Sequence, residues 1–198
     1  MSTVRKPPLT DKSVQRGLYR EKRRVLLADP GRKSDLDREI QSRLILSSLY
    51  RDADAILLYA AREDEIATDL ILYAALTNHK TVAFPRCGEK GEMRFYTVDS
   101  PSRLIPGRFG IREPDRSCEP FTPDAHTLCV CPCLCCDFSG CRLGAGGGYY
   151  DRFLSGFEGI SAALCYADAM LTELYREPHD VPVNAVFTEQ YVRFTDAR

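Results

Sequence analysis

The chain has 198 residues, with 27 Lys plus Arg against 28 Asp plus Glu and a net charge of −1. At about 150 residues per domain this length predicts one compact domain, 1–198, and an apolar fraction of 44% with ten Tyr and nine Phe supplies a full core, which excludes disorder, collagen and coiled coil. The balanced charge removes the broad positive field of a non-specific nucleic-acid binder, so nucleic acid is not expected as a partner.

Residues 1–10 carry Arg5, Lys6, Pro7 and Pro8 ahead of any apolar stretch. They lack the apolar centre of a secretory signal and are expected to be flexible. The longest apolar run, 70–76, is far short of the ~20 residues that cross a bilayer, so no membrane partner and a cytoplasmic location are expected. Nine cysteines are an odd number, and seven fall within 118–141. In a reducing compartment they are free thiols or metal ligands rather than a disulfide framework.

Taken in chain order, residues 11–28 place Val14, Leu18, Val25 and Leu26 at helical spacing among basic residues, ended by Asp29-Pro30-Gly31. Ser34 can cap a second helix carrying Leu36, Ile40, Leu44, Ile45 and Leu49. Residues 55–61 form a short apolar run that predicts a buried strand, followed by the charged turn 62–65. Thr68 can cap a helix over 69–76, and 80–85 is the next strand, so these pieces make a βαβ unit with a parallel sheet. A strand over 93–98 precedes 101–123, which holds five prolines and is expected to be a loop long enough to be suspected of function. Residues 127–138 predict another strand, 140–148 a glycine-rich loop, 149–154 a helix, and 160–166 and 183–187 the last strands. The whole reads as one α/β domain, a mostly parallel sheet with helices on both faces.

The sharpest local signal runs through Arg142, Leu143, Gly144, Ala145, Gly146, Gly147, Gly148, Tyr149, Tyr150 and Asp151. Its glycines let the backbone approach an anion, and a helix start behind them offers free N–H groups, so phosphate is the expected guest. The plain alternative is a flexible strand-to-helix turn. Neither the P-loop Lys-Ser/Thr nor the dinucleotide glycine spacing is present. Tyr149 and Tyr150 offer flat faces for a ligand ring, with one of the pair expected to face the core. Asp151 and Asp180 are the candidate magnesium ligands, since such an ion on a nucleotide uses one or two protein carboxylates, although each also reads as a helix-start or loop residue. His179 reads as a loop histidine. Lys12 and Arg16, four apart on the first helix, point the same way and can clamp a triphosphate, while a solvated basic face is the simpler account of them. Glu65 stands beyond a strand's carboxyl end, where open α/β sheets place their sites, and otherwise reads as a solvated turn acid. Cys129, Cys131, Cys133 and Cys135 alternate along one strand face with Cys136 on the other. Four ligands on one extended strand do not suit tetrahedral zinc, so they are expected to be core residues.

Together these pieces resemble the 5-formyltetrahydrofolate cyclo-ligase family, also called methenyltetrahydrofolate synthetases. The matching segments are Lys12 with Arg16, 64–68, 84–86, 110–114, 132–137, 140–151, His179-Asp180 and Thr188-Glu189, in the family's order over nearly the whole chain. The Arg-Leu-Gly-x-Gly-x-Gly-Tyr-Tyr-Asp string is the specific one; the chain departs from the family pattern at Ala145 and Cys136. The resemblance implies an ATP- and Mg2+-dependent closure of 5-formyltetrahydrofolate to 5,10-methenyltetrahydrofolate, with release of ADP and phosphate. The formyl oxygen is phosphorylated and N10 attacks. It also implies a Rossmann-like fold related to sugar-phosphate isomerases and coenzyme A transferases, and a monomer or weak homo-oligomer. Carried over by motif, Lys12, Arg16, Arg142 and 144–151 hold ATP, Asp151 and Asp180 lie near magnesium, and Lys12, Arg16 and Tyr150 act in catalysis. Tyr59, Glu65, Met93, Gly148, Tyr149 and Tyr150 meet the folate, with a core role the alternative for Tyr59 and Met93. The competing function is that of a diverged nucleotide- or folate-binding relative without turnover.

Overall fold

The computed structural model describes residues 11–88 and 91–196. The expectation of a flexible start at 1–10 lies outside them. Three helices come first: α1 (Lys12–Leu27), α2 (Pro30–Ile45) and α3 (Ser48–Asp52). The sheet then begins with β1 (Ala55–Leu57), α4 (Asp69–Thr77), β2 (Thr81–Cys87) and β3 (Met93–Thr97). The proline-rich segment expected to be loop holds a small antiparallel pair, β4 (Leu104–Pro106) with β5 (Arg112–Pro114), and an edge strand, β6 (Pro120–Phe121). After β7 (Thr127–Cys131) come β8 (Cys135–Asp137), β9 (Arg142–Leu143), α5 (Tyr149–Leu154), β10 (Ile160–Leu164), β11 (Met170–Leu171), β12 (Ala185–Phe187) and β13 (Val192–Phe194).

The main sheet runs in the order β13-β12-β10-β7-β1-β2-β3-β6. Its centre, β12 through β2, is parallel, and antiparallel β13, β3 and β6 close the two sides. The central strands are buried on both faces, with Ile56, Leu57, Leu128, Val130, Ala162, Ala163 and Val186 almost without exposure. That is why they read in the sequence as continuous apolar runs. From β1 the chain crosses to β2 on one side; from β7 it crosses to β10 on the other. Right-handed crossovers in opposite directions put their helices on opposite faces, which agrees with the expected α/β architecture.

Several local expectations are corrected. The face that α1 turns inward carries Gln15, Tyr19 and Arg23, whereas Val14, Leu18 and Val25 are 53%, 44% and 64% exposed. Helix α2 starts at Pro30 under an Asp29 cap, not at Ser34: the Asp29 side chain accepts from the Arg32 amide, and proline fits the first turn because its missing N–H has no partner to lose. Thr68 does not cap α4, since its hydroxyl donates to the Tyr59 carbonyl at 2.8 Å, and the Leu70 amide is met instead by Gln41 Oε1 from α2. The strand expected over 55–61 pairs only through Leu57. The strand expected over 127–138 is broken at Pro132, which cannot donate to a central ladder, and β8 joins a separate sheet in the order β11-β8-β9. The alternating cysteines therefore do not line one strand face, although all of them are buried. The last expected strand is β12, with β13 returning beside it.

Candidate active site

Because the chain leaves β1 and β7 toward opposite sides, the segments after these two neighbouring strands separate and open a crevice at the carboxyl ends, where α/β sheets place their ligands. The crevice is a cleft of about 520 Å3. Tyr59, Ala60, Arg62 and Glu65 line it from the β1 side, Pro132, Cys133 and Leu134 from the β7 side. The residues assigned from the sequence to nucleotide, folate and metal converge on it: Lys12, Arg16, Tyr59, Glu65, Met93, Arg142, Gly144, Ala145, Gly146, Gly147, Gly148, Tyr149, Tyr150, Asp151 and Asp180.

One end of the cleft is cationic. Lys12 Nζ lies 2.7 and 2.8 Å from the two Asp180 oxygens and 2.5 Å from Glu177 Oε2. Arg16 Nε donates to the Gly144 carbonyl at 3.1 Å and Arg20 Nη2 to that of Ala145 at 3.3 Å, so α1 clasps the glycine loop. Two glycines are required by their backbone, Gly146 at φ 113° and Gly148 at φ 64°, both in the left-handed region. A Cβ on Gly148 would also press on Arg152, whose Nη2 donates to the Gly147 carbonyl at 2.7 Å. Gly148 leads directly into α5 without a side-chain cap, leaving the loop's polar backbone facing the cleft.

The other end is aromatic. Tyr59 donates from its hydroxyl to the Ile66 carbonyl at 2.8 Å. Tyr150 packs against the core and lines the cleft, and its hydroxyl is buried with no hydrogen-bond partner among the described residues. Burial, with the neighbouring thiols of Cys129 and Cys131, pushes that hydroxyl well above the usual phenol range, so it stays protonated as a donor. Glu65 is held at the rim by the Arg62 amide, which donates to Oε2 at 3.0 Å. Between the two ends Arg142, 8% exposed, donates from Nη1 to Asp151 Oδ1 at 2.8 Å, and its Nε and Nη2 have no hydrogen-bond partner among the described residues. Asp151 Oδ1 also accepts from the Val181 amide at 3.2 Å.

The Lys12–Asp180 pair makes stability pH-dependent on both flanks. Burial alone would favour the neutral amine and the neutral acid, but the hydrogen bonds between them prevail, raising Lys12 above its ordinary 10.5 and lowering Asp180 below its ordinary 3.8. A lowered carboxyl contributes stability that is present above pH 3.8 and lost as pH falls through its depressed value; a raised amine contributes stability present below pH 10.5 and lost above it. Asp180→Asn should therefore flatten the acid flank of a plot of urea midpoint against pH, by roughly 1 kcal/mol at most for a pair still reached by solvent. An unchanged acid flank would show that the pair carries no linkage.

Comparison with known proteins fixes the family. The model of the 5-formyltetrahydrofolate cyclo-ligase family matches residues 9–189. The chain belongs to that family. It is thus an enzyme of folate metabolism, a ligase. A 5-formyltetrahydrofolate cyclo-ligase from Mycolicibacterium smegmatis is 37% identical over 95 residues, 44% of this chain and 47% of that protein. One from Haemophilus influenzae is 30% identical over 67% of this chain and 74% of its own length. Among solved structures, the 5,10-methenyltetrahydrofolate synthetase of Aquifex aeolicus superposes with a TM-score of 0.82 at 29% identity, covering 94% of each chain.

The structure also brings in residues that the sequence reading passed over. Arg23 lines the cleft and donates to the carbonyls of Asp64 and Cys133, tying α1 to the segments after β1 and β7. Its signal was available, since Lys12, Arg16, Tyr19 and Arg23 fall on one helical stripe. Glu177 had no signal of its own and is placed beside Lys12 by the loop that carries Asp180. Arg108, Ile111 and Glu113 reach the cleft from the proline-rich segment, the one suspected of function from its length.

Proposed function

We propose that this chain converts 5-formyltetrahydrofolate to 5,10-methenyltetrahydrofolate at the expense of ATP. The observation that carries the reading is that one cleft gathers cations and a glycine loop together with aromatic rings and a carboxylate. A nucleotide triphosphate suits the first set and a pterin the second, and the reaction needs both at once.

A formamide carbonyl is a poor electrophile with no leaving group, so its oxygen takes the γ-phosphoryl of ATP, releasing ADP. N10 of the same folate then bonds to the formyl carbon and gives up its proton, and the C–O bond breaks to expel phosphate, which carries that proton away. Ring closure is intramolecular, and the protein's task is to position the partners and offset phosphate charge. Lys12, Arg16, Arg142 and the amides of 144–151 hold the triphosphate in this scheme. Tyr59, Met93, Gly148, Tyr149 and Tyr150 form the folate wall. The Tyr150 hydroxyl, protonated and without a hydrogen-bond partner among the described residues, donates to the reacting oxygen in this scheme. The Asp180 and Glu177 carboxylates lie with His179 in a group whose ligand atoms are within 4.8 Å of one another, and they already surround one cation, Lys12 Nζ. That oxygen-rich set fits magnesium, so Asp180 and Glu177 would hold the ion, which when bound neutralises phosphate charge, while Asp151, outside that group, is tied to Arg142.

The deciding experiment follows the near-ultraviolet absorbance of the methenyl product when protein meets 5-formyltetrahydrofolate and Mg-ATP, with each component omitted in turn. A rise requiring all three is expected. Binding of both ligands without that rise would replace this reading with a non-catalytic folate- and nucleotide-binding protein. Glu65 provides the first test of the map: Glu65→Gln keeps its size but loses the carboxylate that pairs with pterin N–H groups. The variant should raise the folate KM about tenfold to a hundredfold, as expected for one charged hydrogen bond, and leave the ATP KM within twofold. Equal changes in both KM values would remove Glu65 from the folate end.

A further inference from the structure

The break at Pro132 has a second consequence, because it folds the chain so that Cys133 and Cys136 meet and Cys165, at the end of β10, joins them. Cys136 Sγ lies 3.4 Å from Cys133 Sγ, and the three sulfurs are all within 4.8 Å of one another. All three residues are buried, yet Cys133, 5% exposed, forms part of the cleft wall. We propose that Cys133, Cys136 and Cys165 form a three-thiolate site for a soft monovalent metal ion of the Cu(I) class, entered through the cleft.

The spacing suits the coordination. Sulfurs placed about 2.3 Å from one central ion in a trigonal plane lie about 4 Å from each other, so closing the triad on an ion needs only small side-chain rotations. The donor set selects the ion: three thiolates without oxygen or imidazole favour soft metals. Among the described residues the group contains three ligands and no fourth, which suits trigonal Cu(I) and leaves tetrahedral zinc one short. Charge is compensated from α1. Arg23, 6% exposed, donates to the Cys133 carbonyl, and its Nε has no hydrogen-bond partner among the described residues. Binding would expel the thiol protons, including the one that Cys133 Sγ now donates to the Leu164 carbonyl at 3.2 Å.

The test uses the reduced full-length chain, titrated anaerobically with Cu(I) from a coloured competitor chelate, with zinc in parallel. One Cu(I) per chain is expected at high affinity, and X-ray absorption at the copper edge should find three sulfur neighbours. Cys136→Ala and Cys165→Ala should each lower the affinity at least a hundredfold, while Cys129→Ala, whose thiol lies outside the triad, should match the parent. Because the absorption measurement uses the unaltered chain, it decides the matter even if a variant fails to fold. Two sulfur neighbours, zinc bound more tightly than Cu(I), or an affinity lost equally in Cys129→Ala would overturn the proposal. So would a chain whose Cys133 and Cys136 form a disulfide in place of taking up the ion.

Discussion

Lys12→Met is expected to lower kcat/KM for ATP-driven ring closure by roughly 10²–10³, the range found when one preorganised donor is removed from a site that stabilises developing charge. Two effects act in the same direction. The variant loses the cation that the proposed scheme sets against the triphosphate, and it leaves Asp180 and Glu177, which that cation now joins at 2.5–2.8 Å, without the positive charge that shields an incoming anion from them. Met keeps most of the length of the side chain, and α1 retains its Asp11 cap and its Tyr19 and Arg23 contacts, so the fold should persist. Lys12→Arg separates the two effects: it keeps the charge but replaces a compact ammonium by a planar fork, and should recover part of the loss. Steady-state kinetics with ATP and folate varied separately would check this. A Met variant within threefold of the parent would show that Lys12 is a structural tie between α1 and the loop carrying Asp180.

The reach of the sequence can be judged from the same residues. The βαβ unit was legible because β1 and β2 are buried on both faces where they pair and α4 between them is apolar, so local pattern and tertiary role agree. Helix α1 misleads for the opposite reason. It is oriented by what its charged side chains reach, namely Glu177, Asp180 and the carbonyls of Gly144 and Cys133, and of its apolar stripe only Leu26 packs against the core while Val14, Leu18 and Val25 are left outside. The capping of α4 by Gln41 depends on α2 packing against it, which no spacing rule reports. The Pro132 break is legible in the sequence, since proline does not continue a central strand, and with the strand broken there the cysteines on its two sides can converge. The site residues stood out because nucleotide-handling loops need glycine and charge together, whereas Glu177 is set beside Lys12 only by the turn in which the Glu177 amide donates to Asp180.

Asp151→Ala should be the most destabilising change near the cleft, costing about 3–5 kcal/mol, the range for removing one partner of a buried ion pair. Arg142 is 8% exposed, its Nε and Nη2 have no hydrogen-bond partner among the described residues, and Nη1 reaches the Val181 carbonyl at 3.4 Å and Asp151 Oδ1 at 2.8 Å. Without that oxygen the guanidinium keeps its charge, since its own pKa lies far above neutrality even in isolation, and it must either stay buried unpaired or pull the glycine loop open to reach water. The Val181 amide loses its acceptor as well, which loosens the approach to Asp180. At about 2–4 °C per kcal/mol for a chain of this size, the melting temperature should fall by roughly 6–20 °C. Asp151→Asn retains an acceptor oxygen and should lose distinctly less. The decisive comparison is Arg142→Met combined with Asp151→Ala, because replacing both charges by apolar groups removes the stranded cation and should recover much of the stability while giving up phosphate binding. If the double variant melts no higher than Asp151→Ala alone, the loss comes from the Val181 contact and the start of α5 rather than from the buried guanidinium.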